Sequence, residues 1–196
     1  MIIINKSGYL KYSDLKFKCS LGKSGIGIKK IEGDNITPKG IFKILKIYYR
    51  NDRIKKISSN FKLVKITKRM GWCDDPISKN YNKLIKLPEK YNHEKLHRKD
   101  NLYDLILVLN YNMRPIIKNK GSAIFIHVSH KNYKKTAGCI ALKKTHLIKL
   151  ISKIKKKYKS FYKLIIAKNF IANPNEGCAI FNGALVIITH THAKFI

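Results

Sequence analysis

The stretch Gly121-Ser122-Ala123-Ile124-Phe125-Ile126-His127-Val128, closing on Thr136-Ala137-Gly138-Cys139, constrains this chain more than any other. Its apolar, β-branched and aromatic centre predicts a strand over Ile124 to Val128, with His127 near its end. A polar loop, Ser129 to Lys135, follows, and a small-residue turn then presents one cysteine. A second strand is expected over the almost continuously apolar Leu102 to Asn110. Shorter strands are expected at Ile2 to Ile4, Leu15 to Cys19, Ile41 to Tyr49 and Phe161 to Ala167. Gly8, Gly22, Gly25 and Gly27 punctuate the first of these, and Thr37-Pro38-Lys39-Gly40 reads as a turn. Gly22-Lys23-Ser24-Gly25-Ile26-Gly27 lacks phosphate-loop spacing and no helical pattern follows it, so it too reads as a turn.

One helix is expected, over Lys143 to Tyr158, where Leu147, Leu150, Ile151 and Ile154 share a face and lysines cover the other. Ser58 to Asp100 reads as irregular. The resulting fold class is mainly β with few helices. Beyond Lys168 the charge density falls, and Gly and Pro punctuation surrounds one apolar run, Ala184 to Ile188. Residues 168–196 are therefore expected to be an extension, an appended hairpin or an unordered end, to a domain spanning 1–167.

The net charge of +31, from 42 basic and 11 acidic side chains, first suggests an anionic partner. Only five of the 42 are arginine: Arg50, Arg53, Arg69, Arg98 and Arg114. Arginine supplies the bidentate contacts of a dedicated nucleic-acid reader, and the lysines are scattered, not gathered in one arm. Compositional bias with a solvated surface is the simpler account, and no nucleic-acid partner is expected. No apolar run is long enough to span a bilayer, and no secretory signal is legible near the N-terminus. A 44% hydrophobic fraction suffices for a sizeable core.

The four cysteines, Cys19, Cys73, Cys139 and Cys178, have neither zinc-site nor disulfide-framework spacing. His93-Glu94 with His97 departs from zincin spacing, so no metal and no cofactor are expected. Trp72 in Gly71-Trp72-Cys73-Asp74-Asp75-Pro76 reads as a core or loop anchor, and Asp74-Asp75 as loop capping. Cys139 and His127 are different. Cysteine and histidine on neighbouring segments are the minimum parts of a thiolate nucleophile and its base. A free thiol titrates at about 8.5, so a neighbour must stabilise its ionised form. Gly138 leaves room beside the sulfur, and nearby N–H groups would serve a developing oxyanion. The competing account is a buried structural cysteine and an unrelated histidine. His127 ends an apolar strand where a purely structural residue would be apolar, which favours chemistry.

Ile-Phe-Ile-His-x(11)-Cys with Thr-x-Gly-Cys resembles the catalytic motif of the L,D-transpeptidase (YkuD-like) family. Thr37-Pro38-Lys39-Gly40, Tyr49-Arg50, Gly71 to Pro76, Leu102-Tyr103-Asp104 and Gly121 to Phe125 are similar to a short, single-domain branch of it. The resemblance implies a mixed β-sandwich or small barrel with a helix after the nucleophile. It implies attack on peptidoglycan stem peptides, a thioester on Cys139, and transfer to an amine to form a crosslink in cell-wall biogenesis. Cys139 is then the nucleophile, His127 the base, the Val128 carbonyl its orienter, and the backbone of Gly138 and Cys139 the oxyanion site. Tyr49, Arg50, Trp72 and Tyr133 are the candidate substrate contacts. The chain has Ala137 where the family motif carries a histidine, Ala141 where a polar residue is usual, and a shorter His-to-Cys loop.

Three alternatives stay open in the sequence. Water as acceptor gives an L,D-carboxypeptidase on the same substrate. The charge allows a basic, non-enzymatic module for an anionic polymer. A thiol–disulfide role lacks an adjacent resolving cysteine. The resemblance implies the cell envelope or periplasm, whereas the residues alone leave the cytoplasm open. Oligomeric state is not legible.

Overall fold

The computed structural model describes residues 1–154 and 163–167, and the backbone of strands at 170–173, 178–181, 184–188 and 193–195. The strands are β1 (Ile2–Asn5), β2 (Tyr9–Tyr12), β3 (Leu15–Ser20), β4 (Ile26–Gly27), β5 (Thr37–Pro38), β6 (Gly40–Tyr49) and β7 (Leu63–Lys65). They continue with β8 (Met70–Cys73), β9 (Leu84–Lys86), β10 (His93–Lys95), β11 (Leu105–Leu109), β12 (Phe125–Val128) and β13 (Ile140–Leu142). After α1 (Lys144–Lys153) come β14 (Lys163–Ala167), β15 (Phe170–Asn173), β16 (Cys178–Phe181), β17 (Ala184–Ile188) and β18 (Ala193–Phe195).

The main sheet runs β11-β12-β13-β3-β2-β1-β14-β6, and β6 also pairs with β11. The sheet therefore closes into a barrel, and the chain is mainly β with a single helix among the described residues. The long strand β6 makes closure possible: Gly40 to Lys43 pair with β14, and Ile44 to Tyr49 pair with β11.

Period-two alternation assigns each residue to a side. On β3, Leu15, Phe17 and Cys19 are buried while Lys16 and Lys18 are exposed, which puts part of the basic excess on the outer surface. The inner core gathers Ile2, Ile4, Leu10, Ile44, Leu105, Leu107, Leu109, Ile126, Val128, Ile140 and Leu142. β11 and β12 are buried at every position, so both of their faces are covered. Their outward residues Ile106, Val108 and Phe125 join a second cluster with Tyr48, Trp72, Leu96 and Tyr103. That cover comes from the segment expected to be irregular, which instead forms a small antiparallel sheet, β10-β8-β9. Its strands have three or four residues each, too short to show periodicity in the sequence.

Thr37-Pro38 is a short parallel pair with Ile26-Gly27 and not only a turn. Thr37 is fully buried, and its Oγ1 accepts the Gly22 N–H at 2.8 Å. The helix buries Leu147, Leu150 and Ile151 as expected, but it stops at Lys153. Ile154 is extended (φ −64°, ψ 114°) and fully buried. Tyr12 Oη donates to the Lys153 carbonyl and Asn60 Nδ2 to the Ile154 carbonyl, giving partners to groups a helix end leaves orphaned. The rest of the expected helix, and Phe161 and Tyr162 of the expected strand, lie outside the described residues. The C-terminal strands form their own antiparallel sheet, β15-β16-β17-β18, with the expected run 184–188 as one strand. No helix among the described residues is long and apolar enough to cross a membrane.

Candidate active site

β12 and β13 are parallel neighbours, with Ile126 opposite Ile140 and His127 opposite Ala141. Opposed residues of adjacent strands point to the same face, so Cys139, one position before β13, falls beside Phe125. The Phe125 N–H donates to Cys139 Sγ at 3.3 Å. Cys139 and His127 thus share the outer face of the barrel wall, under the β8–β10 cover, and both line one small cleft of about 160 Å³.

His127 is buried, and its Nδ1 lies 2.8 Å from the Val128 carbonyl oxygen. A carbonyl only accepts, so Nδ1 carries the proton and Nε2 presents a lone pair, the tautomer a base requires. Burial pushes the imidazole down to about 4, against the opposing pull of the Val128 carbonyl. Cys139 Sγ donates to the Ala123 carbonyl at 3.1 Å. Burial pushes this thiol up to about 12, with the nearby Glu94 carboxyl adding to the rise and the Phe125 N–H opposing it. A thiol and an imidazole, each held by backbone groups, therefore line one cleft.

The turn before Cys139 is held from both sides. Thr136 Oγ1 donates to the Cys139 carbonyl at 2.6 Å and accepts the Gly138 N–H at 3.2 Å. Gly138 has φ +137°, and a Cβ there would meet the Ile36 carbonyl oxygen at 2.9 Å. Glycine is thus required by backbone conformation and by close approach of the segment just before β5.

The chain matches the YkuD family, described as the L,D-transpeptidase catalytic domain, over residues 1–187. It belongs to the YkuD family. No curated protein matches it.

The remaining expected residues of this YkuD domain lie elsewhere. Arg50 is 4% exposed. Its guanidinium is taken by Asp52 and by the Arg98 carbonyl, at 2.7 Å. Tyr49 packs against the inner core. Tyr133 sits on the His-to-Cys loop with the Lys18 ammonium 5.2 Å above its ring. Trp72 is buried edge-on against Phe125 and donates Nε1–H to Asn82 Oδ1 at 3.0 Å. It borders a separate cavity of about 490 Å³ with Asn82, Met113 and Arg114. None of these four lines either cleft that reaches Cys139.

Three site residues escaped the sequence. Asn82 Oδ1 accepts from both Trp72 and the Ala123 N–H, while Nδ2 donates to the Tyr111 and Asn112 carbonyls. It thereby fixes Ala123, a non-glycine residue at φ +47° whose carbonyl receives the Cys139 thiol. Tyr103 stands edge-on to His127, ring centroids 5.4 Å apart, and its hydroxyl donates to Glu94 Oε2. Glu94 lines both clefts that reach the sulfur. Only the neighbouring histidines drew notice to Glu94, and they suggested a metal.

Proposed function

We propose that this YkuD domain is a cysteine-dependent L,D-transpeptidase that acts on peptidoglycan stem peptides through a thioester on Cys139. The observation that carries the reading is the shared cleft of Cys139 and His127, with His127 Nδ1 on the Val128 carbonyl. On substrate binding the thiol exchanges the Ala123 carbonyl for His127 Nε2 and gives up its proton. The sulfur attacks the carbonyl carbon of the amide between an L- and a D-centre. The N–H groups of Gly138 and Cys139 take the oxyanion, Gly138 leaving Thr136 Oγ1 to do so. His127 then protonates the leaving amine, and the acyl group stays on the sulfur. An amine from a second stem attacks the thioester and forms a crosslink. The work lies at the cell envelope, where such polymers are, and residues 1–167, the part that closes the barrel, carry it.

Incubation with a stem tetrapeptide ending in D-alanine tests the reading. Intact-mass measurement should find the acylated protein, peptide mapping should place the acyl group on Cys139, and Cys139→Ala should abolish both the adduct and D-alanine release. Activity retained in Cys139→Ala ends the proposal. Addition of an acceptor amine distinguishes transfer from hydrolysis: crosslinked product supports a transpeptidase, free tripeptide alone a carboxypeptidase.

A further inference from the structure

Two clefts meet at Cys139, and their charges are opposite. The larger, of about 620 Å³, is lined by Glu32, Asp74, Asp75 and Glu94. The smaller carries Arg98, His130, Lys134 and Lys135 along with His127. The chain has only 11 acidic residues against 42 basic ones, and four of the 11 line this one cleft. The single lysine there, Lys29, is ion-paired with Asp34. Asp74 Oδ1 is buried and has no hydrogen-bond partner among the described residues.

Glu94 belongs to both clefts, as does Cys139. It is carried on β10 opposite Trp72, its Oε2 is fixed by the Tyr103 hydroxyl, and the Arg98 guanidinium lies 5.2 Å from the centre of that tyrosine ring. His127, which shares the smaller cleft with Glu94, is committed to Val128 through Nδ1. An amine acceptor arrives as an ammonium, and it has no lone pair until it loses a proton. An acidic cleft ending at the sulfur meets both requirements.

Resting on the acyl-transfer reading above, we propose that Glu94 is the acceptor-side residue: its carboxylate, fixed by Tyr103, holds the incoming ammonium beside Cys139 and takes the proton that the nitrogen must lose to attack. In the step, the ammonium passes one proton to Glu94, and the freed lone pair forms the C–N bond. The C–S bond breaks, and the electron pair leaves on sulfur. The nitrogen's second proton passes through His127 to that sulfur. Amide, thiol and protonated Glu94 result, and Glu94 then releases its proton to water. Burial raises the Glu94 carboxyl, and a desolvated ammonium is correspondingly easier to deprotonate, which narrows the gap between them.

The test uses the acylated wild-type protein and Glu94→Gln, each offered methylamine, cationic at neutral pH, or hydroxylamine, which is neutral there. The ratio of methylamide to hydroxamate should fall at least tenfold in Glu94→Gln, because only the cationic acceptor needs the carboxylate. An unchanged ratio overturns the proposal, whether both rates hold or fall together. Tyr103→Phe gives an independent readout. Glu94 is faced by Tyr103, which lowers it, by Asp74 and Glu32, which raise it, and by Arg98, which lowers it. Loss of the tyrosine hydrogen bond should move the acid limb of methylamine use to higher pH, and an unmoved limb overturns the proposal. A wild-type protein that never carries an acyl group on Cys139 overturns the parent reading, and this one with it.

Discussion

The Cys139 thiol donates to the carbonyl oxygen of Ala123, 3.1 Å away, and so is held as a neutral group in the free protein. A carbonyl dipole facing sulfur repels a thiolate, which agrees in sign with a thiol pushed up to about 12 by burial. Alkylation of Cys139 by iodoacetamide should therefore be slow near pH 8, roughly a hundredfold or more below a free thiol that titrates at about 8.5. The rate should keep climbing through pH 10. Peptide mapping isolates the Cys139 signal. A rate that plateaus below pH 9 would show a preformed thiolate–imidazolium pair and contradict the arrangement seen here.

His127 gives the fold an acid limb. Its imidazole sits at about 4 when folded, below the ordinary value of 6.5, chiefly because burial disfavours the charged ring. A depressed value means that the unfolded chain binds the proton first as pH falls. The contribution is fully present above pH 6.5 and is lost between there and about 4. Its size is on the order of 3 kcal/mol. Urea denaturation at steps from pH 7 to 4 should show this loss in the wild type and a shallower slope in His127→Gln. Parallel slopes would rule out His127 as the source.

Gly138→Ala should destabilise more than Gly25→Ala, although both glycines have positive φ. At Gly25 a Cβ would meet nothing within 4 Å, so only backbone strain acts, roughly 1 kcal/mol. At Gly138 it would meet the Ile36 carbonyl at 2.9 Å, and the turn presenting Cys139 must shift. We expect a loss of about 2–3 kcal/mol in thermal or urea melts. Equal losses at the two sites would remove the steric argument.

The strands that alternate or run apolar were legible because burial writes itself into period two, as in Leu15, Phe17 and Cys19, or into unbroken runs, as in Leu105–Leu109. The His127–Val128 contact was expected only through the family resemblance, and because it runs through backbone it does not depend on the side chain at 128. Barrel closure was not, since it depends on one strand, β6, changing partner along its length. Arg50 looked like a free cation in sequence, yet Asp52 two residues on takes its guanidinium. Glu94 was hidden because its meaning comes from Tyr103 and Cys139, brought near only when β10 pairs with β8.

Asp104 is the residue whose loss should most damage the frame around the site. Its carboxylate is 1% exposed and accepts from Arg53 Nη1 at 2.8 Å and Lys144 Nζ at 2.9 Å. It thus ties the start of α1 and the loop after β6 to the residue beside Tyr103. Its own carbonyl accepts the Arg50 N–H at 2.9 Å. Removal of the carboxylate breaks two charge-assisted hydrogen bonds but leaves the part-exposed Arg53 and Lys144, a loss of about 2–3 kcal/mol. Asp104→Ala should lose that much in urea denaturation. Arg53→Ala and Lys144→Ala should each lose clearly less, because Asp104 keeps its other cation and both lost partners are more exposed. The double variant Arg53→Ala/Lys144→Ala, which strands the carboxylate, should lose more than the sum of the two single changes. An Asp104→Ala protein within about 1 kcal/mol of wild type would show that the network adds little net stability.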